Sequence, residues 1–335
     1  MKLTLCILPM GFSDPVWFLL LAIAYPGTVQ GKVVDNFQPC QQFFKDRIAP
    51  QGFENEENKD SMVKICQMYK NITYFATLYR TDLRIPVYSA YIYTNSIPAI
   101  NPCRPCWFCE PQIENRSAGQ NMQECKCKSG EKQALNSDYQ GSGYQRGHLY
   151  PFSFNHQESA TASCTLTNAV PQEKAANVKW YHYTEKVVKG LTQTCHNSGR
   201  RMYLVTGSDD YNHGTIKNRV KIPGLVWTAA CCTVPRNQND RFLAEEVKAN
   251  RNPQTTNGAF SIAFMGTLFP ELKFVNVSVS TLERRLNASI FNECKEASRE
   301  IYEEVQRLLR HKVRDNKKRN RVGKCSLAAC QRRPK

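Results

Sequence analysis

Tyr144-Gln145-Arg146-Gly147-His148-Leu149-Tyr150-Pro151 is the stretch on which the reading of this chain turns. It sets a histidine beside an arginine with a glycine between them. An imidazole takes a proton from water near neutral pH. A guanidinium pairs with phosphate oxygens. A glycine lets the backbone turn closely. Together these are the parts that phosphodiester hydrolysis needs. Alone they are also compatible with a histidine that serves only packing.

The next segment narrows the choice. Thr167-Asn168-Ala169-Val170-Pro171-Gln172 leads into a stretch that predicts a helix over Pro171 to Val188. Proline stands near its first turn, and apolar residues recur at helical spacing in AANVKWYHYTEKVV. Positions 177, 181 and 185 are spaced by four, so Asn177 and Glu185 are expected on one face, two turns apart. An amide oxygen is a hard ligand suited to a magnesium ion that keeps most of its water. Such an ion stabilises developing charge and the leaving oxygen. The same two residues also fit an exposed helix position and a surface ion pair.

Outward from this centre, Tyr74 to Tyr79 and Ile85 to Tyr93 predict two strands joined by Thr81-Asp82-Leu83-Arg84 in a hairpin connection. Met202 to Thr206, Lys221 to Val234 and Ala259 to Phe264 predict further strands, and Ala297 to Leu309 a helix with Ile301, Val305 and Leu308 on one side. Residues 96–135 are different: four prolines and Cys103, Cys106, Cys109, Cys125 and Cys127 mark a loop-rich insertion. CxxCxxC followed by CxC can converge on zinc, but in an exported chain disulfides are the expected use.

The ends of the 335-residue chain carry the expectation of export. Lys2, an apolar run from Val16 to Tyr25 and Val29-Gln30-Gly31 read as a signal peptide over 1–31, with cleavage after Gly31. Its apolar core is too short to span a bilayer, and no later stretch predicts a transmembrane helix, so stable membrane insertion is not expected. Removing Cys6 leaves an even 14 of the 15 cysteines, which argues for disulfides. Asn71, Asn115, Asn276 and Asn287 each begin a glycosylation sequon. The net charge is +16, and from Arg310 to Lys335 eleven Lys/Arg face a single Asp. That tail over 310–335 suits either polyanion binding or plain solubility.

The pieces GYQRGHLYP, TNAVPQEKAANVKWYHYTE, YLVTGSDD and NRVKIPGLVWTAACC resemble the DNA/RNA non-specific endonucleases, most closely the endonuclease domain-containing 1 group, over roughly 34–302. The resemblance implies an α+β fold: a central, mostly antiparallel sheet with packed helices and a ββα-metal motif, within a domain over 32–309. It implies His148 as the general base and Asn177 as the direct ligand of a divalent ion, Mg2+ or another such as Mn2+. Glu185 would hold the ion's water shell, Arg146 would contact phosphate, and Asn168 would orient the site. An additional upstream arginine of the family could correspond to Arg84.

The family motif begins Asp-Arg-Gly-His, and here Gln145 stands in the place of the aspartate. Reduced rather than absent activity is the expectation, because one negative charge is missing while His148, Asn177 and Glu185 remain. The implied function is a secreted, extracellular endonuclease that cleaves DNA and RNA with little sequence preference, since phosphate contacts carry no base information. The rival expectation is a weakened or inactive nuclease scaffold that binds polyanions or protein partners.

Overall fold

A computed structural model describes residues 33–93, 106–124, 130–211, 213–234, 259–269 and 271–310. The expected signal peptide and all but the first residue of the basic tail lie outside these. Along the chain run β1 (Val33–Val34), β2 (Met62–Tyr69), β3 (Ile72–Arg80), β4 (Ile85–Tyr93), β5 (Phe108–Cys109), β6 (Gln123–Glu124), β7 (Tyr144–His148) and β8 (Ala169–Glu173). They are followed by β9 (Arg201–Ser208), β10 (Thr215–Ile216), β11 (Val220–Lys221), β12 (Leu225–Thr233), β13 (Phe260–Thr267) and β14 (Lys273–Val277). Eight of them form one antiparallel sheet in the order β1-β2-β3-β4-β9-β12-β13-β14.

Both faces of this sheet are covered, which explains why its central strands are apolar throughout. In β12, Val226, Ala230 and Cys232 belong to one core, and Leu225, Trp227, Ala229 and Cys231 to the other. Side chains alternate across a strand, so a strand buried on both sides loses its polar half. The first core is closed by Leu149, Tyr150, Val170, Trp180, Val187, Leu191 and the helix Arg299–Arg310 through Ile301 and Val305. The second is closed by Phe37, Phe43, Phe44 and the helix Val279–Leu286 through Leu282.

The neighbouring Cys231 and Cys232 follow the same alternation. Cys232 is bonded to Cys195 on one face and Cys231 to Cys294 on the other, while Cys40 is bonded to Cys66 of β2. The sheet is thereby stapled to both of its covering layers. Cys106 and Cys109 of the insertion are also disulfide-bonded. The even cysteine count does not translate into complete pairing, because Cys164 remains a buried thiol.

Expected and observed elements differ most at the start of the central helix. Ala169–Glu173 is a strand, with Pro171 opposite Arg146, and the helix begins only at Lys174. A proline is tolerated there because β7 and β8 form a separate two-stranded ribbon, in which one side of each strand needs no ladder partner. The helix then runs as α1 (Lys174–Trp180), a π turn (Tyr181–Glu185) and α2 (Lys186–Asn197). Among the described residues, no helix is long and apolar enough to cross a membrane.

Candidate active site

The ribbon β7–β8 and the helix that leaves it without an intervening residue form a ββα unit over the first core. The register pairs Tyr144 with Glu173, Gln145 with Gln172, Gly147 with Val170 and His148 with Ala169. Tyr150, just past the ribbon, stacks on Tyr91 of β4 at 4.3 Å and meets Phe75 of β3 edge-on at 4.9 Å, which anchors the unit to the sheet.

Alternation along β7 sends Arg146 and His148 to one side and Gln145 and Gly147 to the other. On the first side, His148 is buried at 8% exposure, with its Nε2 3.5 Å from the Cys164 sulfur. Its ring lies 4.6 Å from the ring of Trp107 and 6.2 Å from that of Phe152. The Arg146 guanidinium lies 4.8 Å from the Tyr139 ring and 5.7 Å from that of Trp107, and it donates to the Asn136 carbonyl at 3.0 Å. An arginine flanked by aromatic faces keeps its charge while its approach is fixed.

On the second side, Asn177 donates from Nδ2 to Gln145 Oε1 at 2.9 Å. The glutamine therefore supplies an acceptor that a carboxylate would also supply, without the charge. Gly147 has a different reason to be glycine than a turn. A Cβ there would lie 2.2 Å from Gln172 Oε1, because the buried Gln172 side chain crosses the strand pair at that point. Among the described residues, that same buried oxygen has no hydrogen-bond partner.

Glu185 is buried at the end of the π turn and accepts from Ser153 Oγ at 2.8 Å. An α-helix turns about 100° per residue, so eight ordinary steps leave two side chains roughly 80° apart. A π turn absorbs one extra residue, which brings the offset from Asn177 to about 20°. The alignment read from a spacing of four is thus produced by a local departure from α geometry. One turn beyond, Lys189 donates to the Ser153 carbonyl at 3.0 Å, and its ammonium pKa is lowered by burial.

Asn168 is fully buried and its amide is fully used. Its Oδ1 accepts from Ser89 Oγ at 2.9 Å and from the Tyr150 N–H at 2.8 Å, and its Nδ2 donates to the carbonyls of Tyr150 and Ser163. It fixes the chain two residues past His148 to strand β4. Arg84 sits in the β3–β4 turn at φ +58°, donating to the carbonyls of Glu131 and Arg219. Of the sequons, Asn71, Asn115 and Asn287 are exposed, and Asn276 is half-exposed on β14, the last strand of the sheet.

The donor chemistry fits a hydrated, hard divalent ion. With Nδ2 spent on Gln145, Asn177 presents an amide oxygen that accepts no side-chain hydrogen bond among the described residues. The Glu185 carboxylate is brought to the same helix face. Among the described residues no three His, Cys, Asp or Glu side chains gather into an all-protein cage. One neutral oxygen with water as the remaining shell matches the ligand habits of magnesium, not those of zinc.

Sequence reasoning missed Trp107, Tyr139, Cys164 and Gln172. Trp107 did carry a signal, an aromatic held between the disulfide-bonded Cys106 and Cys109. The others had none, since each meets the site through contacts that no local pattern encodes.

The family model for DNA/RNA non-specific endonuclease matches residues 55–297. The human endonuclease domain-containing 1 protein is 37% identical over 236 residues, 65% of this chain and 45% of its own length. The mouse protein of that name is 34% identical over 230 residues, 64% of this chain and 43% of its own. Bovine mitochondrial endonuclease G is 38% identical over 77 residues, 22% of this chain and 24% of its own. The match thus spans less than half the length of these relatives. With that family model covering most of its length, the chain belongs to the DNA/RNA non-specific endonuclease family.

Proposed function

We propose that the protein is an exported, metal-dependent endonuclease that hydrolyses phosphodiester bonds in DNA and RNA with little sequence preference. The observation that carries this is the Asn177–Gln145 hydrogen bond, which leaves the amide oxygen of Asn177 to a cation in a ββα unit that also holds His148 and Arg146. His148 takes the proton of the attacking water, and its burial against Trp107 and Cys164 fixes the direction of the ring. Arg146 holds a phosphate oxygen by charge and hydrogen bonding. Asn177 would ligate the ion and Glu185 would order its water. When bound, a divalent ion supplies charge stabilisation at phosphate and at the leaving oxygen. Asn168 keeps the strand end in register.

Plasmid DNA and a generic RNA incubated with the protein, with magnesium, with manganese and with chelator, test the reading. Cleavage that needs the ion and is lost in His148→Ala and Asn177→Ala is expected. Folded protein that cuts neither substrate at any ion concentration overturns it. Export is supported by the disulfides that tie the sheet to both covering layers. Recovery from the culture medium, with a glycosidase-sensitive mass at the sequons, checks it.

One observation favours a second reading. Gln145 carries no charge, and a site that holds its ion poorly leaves a scaffold that binds polyanions or protein partners. Tight, salt-sensitive DNA retention without cleavage would select that reading.

A further inference from the structure

The cysteine- and proline-rich insertion does not stand apart from the ribbon. Phe108 bridges Thr165 in parallel, its N–H donates to the Cys164 carbonyl at 2.8 Å, and its buried side chain joins Met122 and Ala162. With Cys106 and Cys109 disulfide-bonded on either side, the backbone at 107 has little freedom. Adjacent side chains of an extended segment point to opposite sides. Phe108 enters its own apolar cluster, and Trp107 turns to the ribbon, where its ring meets the His148 ring at 4.6 Å and the Arg146 guanidinium at 5.7 Å. The two arms are also joined through Asn136, which donates to the Trp107 carbonyl at 3.4 Å and accepts from Arg146 at 3.0 Å. A half-buried indole against both groups at once limits the rotation of each.

We propose that Trp107 is a positioning residue of the nuclease site: the insertion delivers it to clamp the His148 imidazole against Cys164 and to hold Arg146 on the same side of the strand. The proposal rests on the nuclease reading above. Trp107 acts through His148 and Arg146, and no bond to it is made or broken. Replacing it loosens the imidazole without removing any group that reacts.

The test compares Trp107→Leu and Trp107→Phe with the unmodified protein in two readouts. The first is steady-state cleavage. Misplacement of a reacting group typically costs up to about 100-fold in rate, so Trp107→Leu is expected to lower kcat at least ~10-fold with KM nearly unchanged. Trp107→Phe, which keeps an aromatic face, is expected to recover most of it. The second does not depend on activity: the nuclear Overhauser contact between His148 Hε1 and the Cys164 Hβ protons. It is expected in the unmodified protein and in Trp107→Phe, and lost in Trp107→Leu. Full kcat in Trp107→Leu, or a retained His148–Cys164 contact there, overturns the proposal. If the unmodified protein does not cleave, the nuclease reading fails, and the Overhauser contact still decides whether Trp107 positions His148.

Discussion

Asn177 at the start of the central helix donates a 2.9 Å hydrogen bond to Gln145, thirty-two residues earlier on the strand that carries His148. This bond turns the amide so that its oxygen is the atom left for a cation. It also explains how glutamine can occupy a position where the resembling family has aspartate. The bond needs only an acceptor, which glutamine supplies without a carboxylate's charge.

That division predicts two different outcomes at position 145. Gln145→Leu removes the acceptor and should lower apparent magnesium affinity and cleavage by roughly 10- to 100-fold, the usual cost of losing an outer-shell partner. Gln145→Asp restores the charge and should raise both above the unmodified protein. Titrating cleavage with magnesium measures each. An unmodified protein as active as Gln145→Asp, or more so, would contradict the assigned loss.

Asn168 should matter for stability before it matters for chemistry. Asn168→Ala strips partners from four buried groups, including both backbone groups of Tyr150. Each buried group left unsatisfied costs about 1–3 kcal/mol, so a loss of at least ~3 kcal/mol is expected in denaturant unfolding. A change below ~1 kcal/mol would show that the loop is held by other contacts.

The Cys195–Cys232 bond closes a separation of 37 residues, and Cys231–Cys294 one of 63. Removing either pair as a double serine variant is expected to cost about 2–5 kcal/mol. The two losses should be similar, because loop length enters only logarithmically. Melting curves under non-reducing conditions give the comparison. Retained stability in either double variant would mean that the corresponding layer is held by packing alone.

Glu110 supplies a pH dependence. Its carboxyl is buried beside Thr165, and desolvation raises its pKa well above the ordinary value, against a smaller lowering by the Thr165 hydrogen bond. A raised folded pKa means that its contribution to stability is complete below the unfolded carboxyl's pKa of about 4.3 and is lost as pH rises through the folded value. Glu110→Gln should therefore raise the melting temperature by an increment that grows as pH climbs above the ordinary carboxyl range. An increment that is the same at every pH would show that the carboxyl does not titrate there.

The inner strands β3, β4, β9, β12 and β13 were legible because a short apolar, β-branched run is a local property of the chain, whereas β1, β2 and β14 were not read as strands. Ile85–Tyr93 was read to the residue, and Arg201–Ser208 and Phe260–Thr267 to within a few. His148, Arg146, Asn177 and Glu185 were singled out as candidates because their chemistry and order form a recognisable series, and the fold carries them on one strand and the helix that follows the ribbon. The start of the helix was not. Pro171 suits a first helical turn as well as a ribbon strand, and pairing with Arg146 selected the strand.

By itself, then, the sequence determined the apolar runs that build a sheet buried on both faces, the helix that follows the ribbon, and the candidate groups of the site in their order. Tertiary structure alone decided which face each of Cys231 and Cys232 joins, that Cys164 stays a thiol against His148, and that the Gln172 side chain lies where a Cβ at Gly147 would stand. It alone also placed Trp107 on the imidazole and the guanidinium. The reason is physical. Periodicity and motif order are written in neighbouring residues, whereas these contacts depend on where distant segments come to rest once both faces of the sheet are covered.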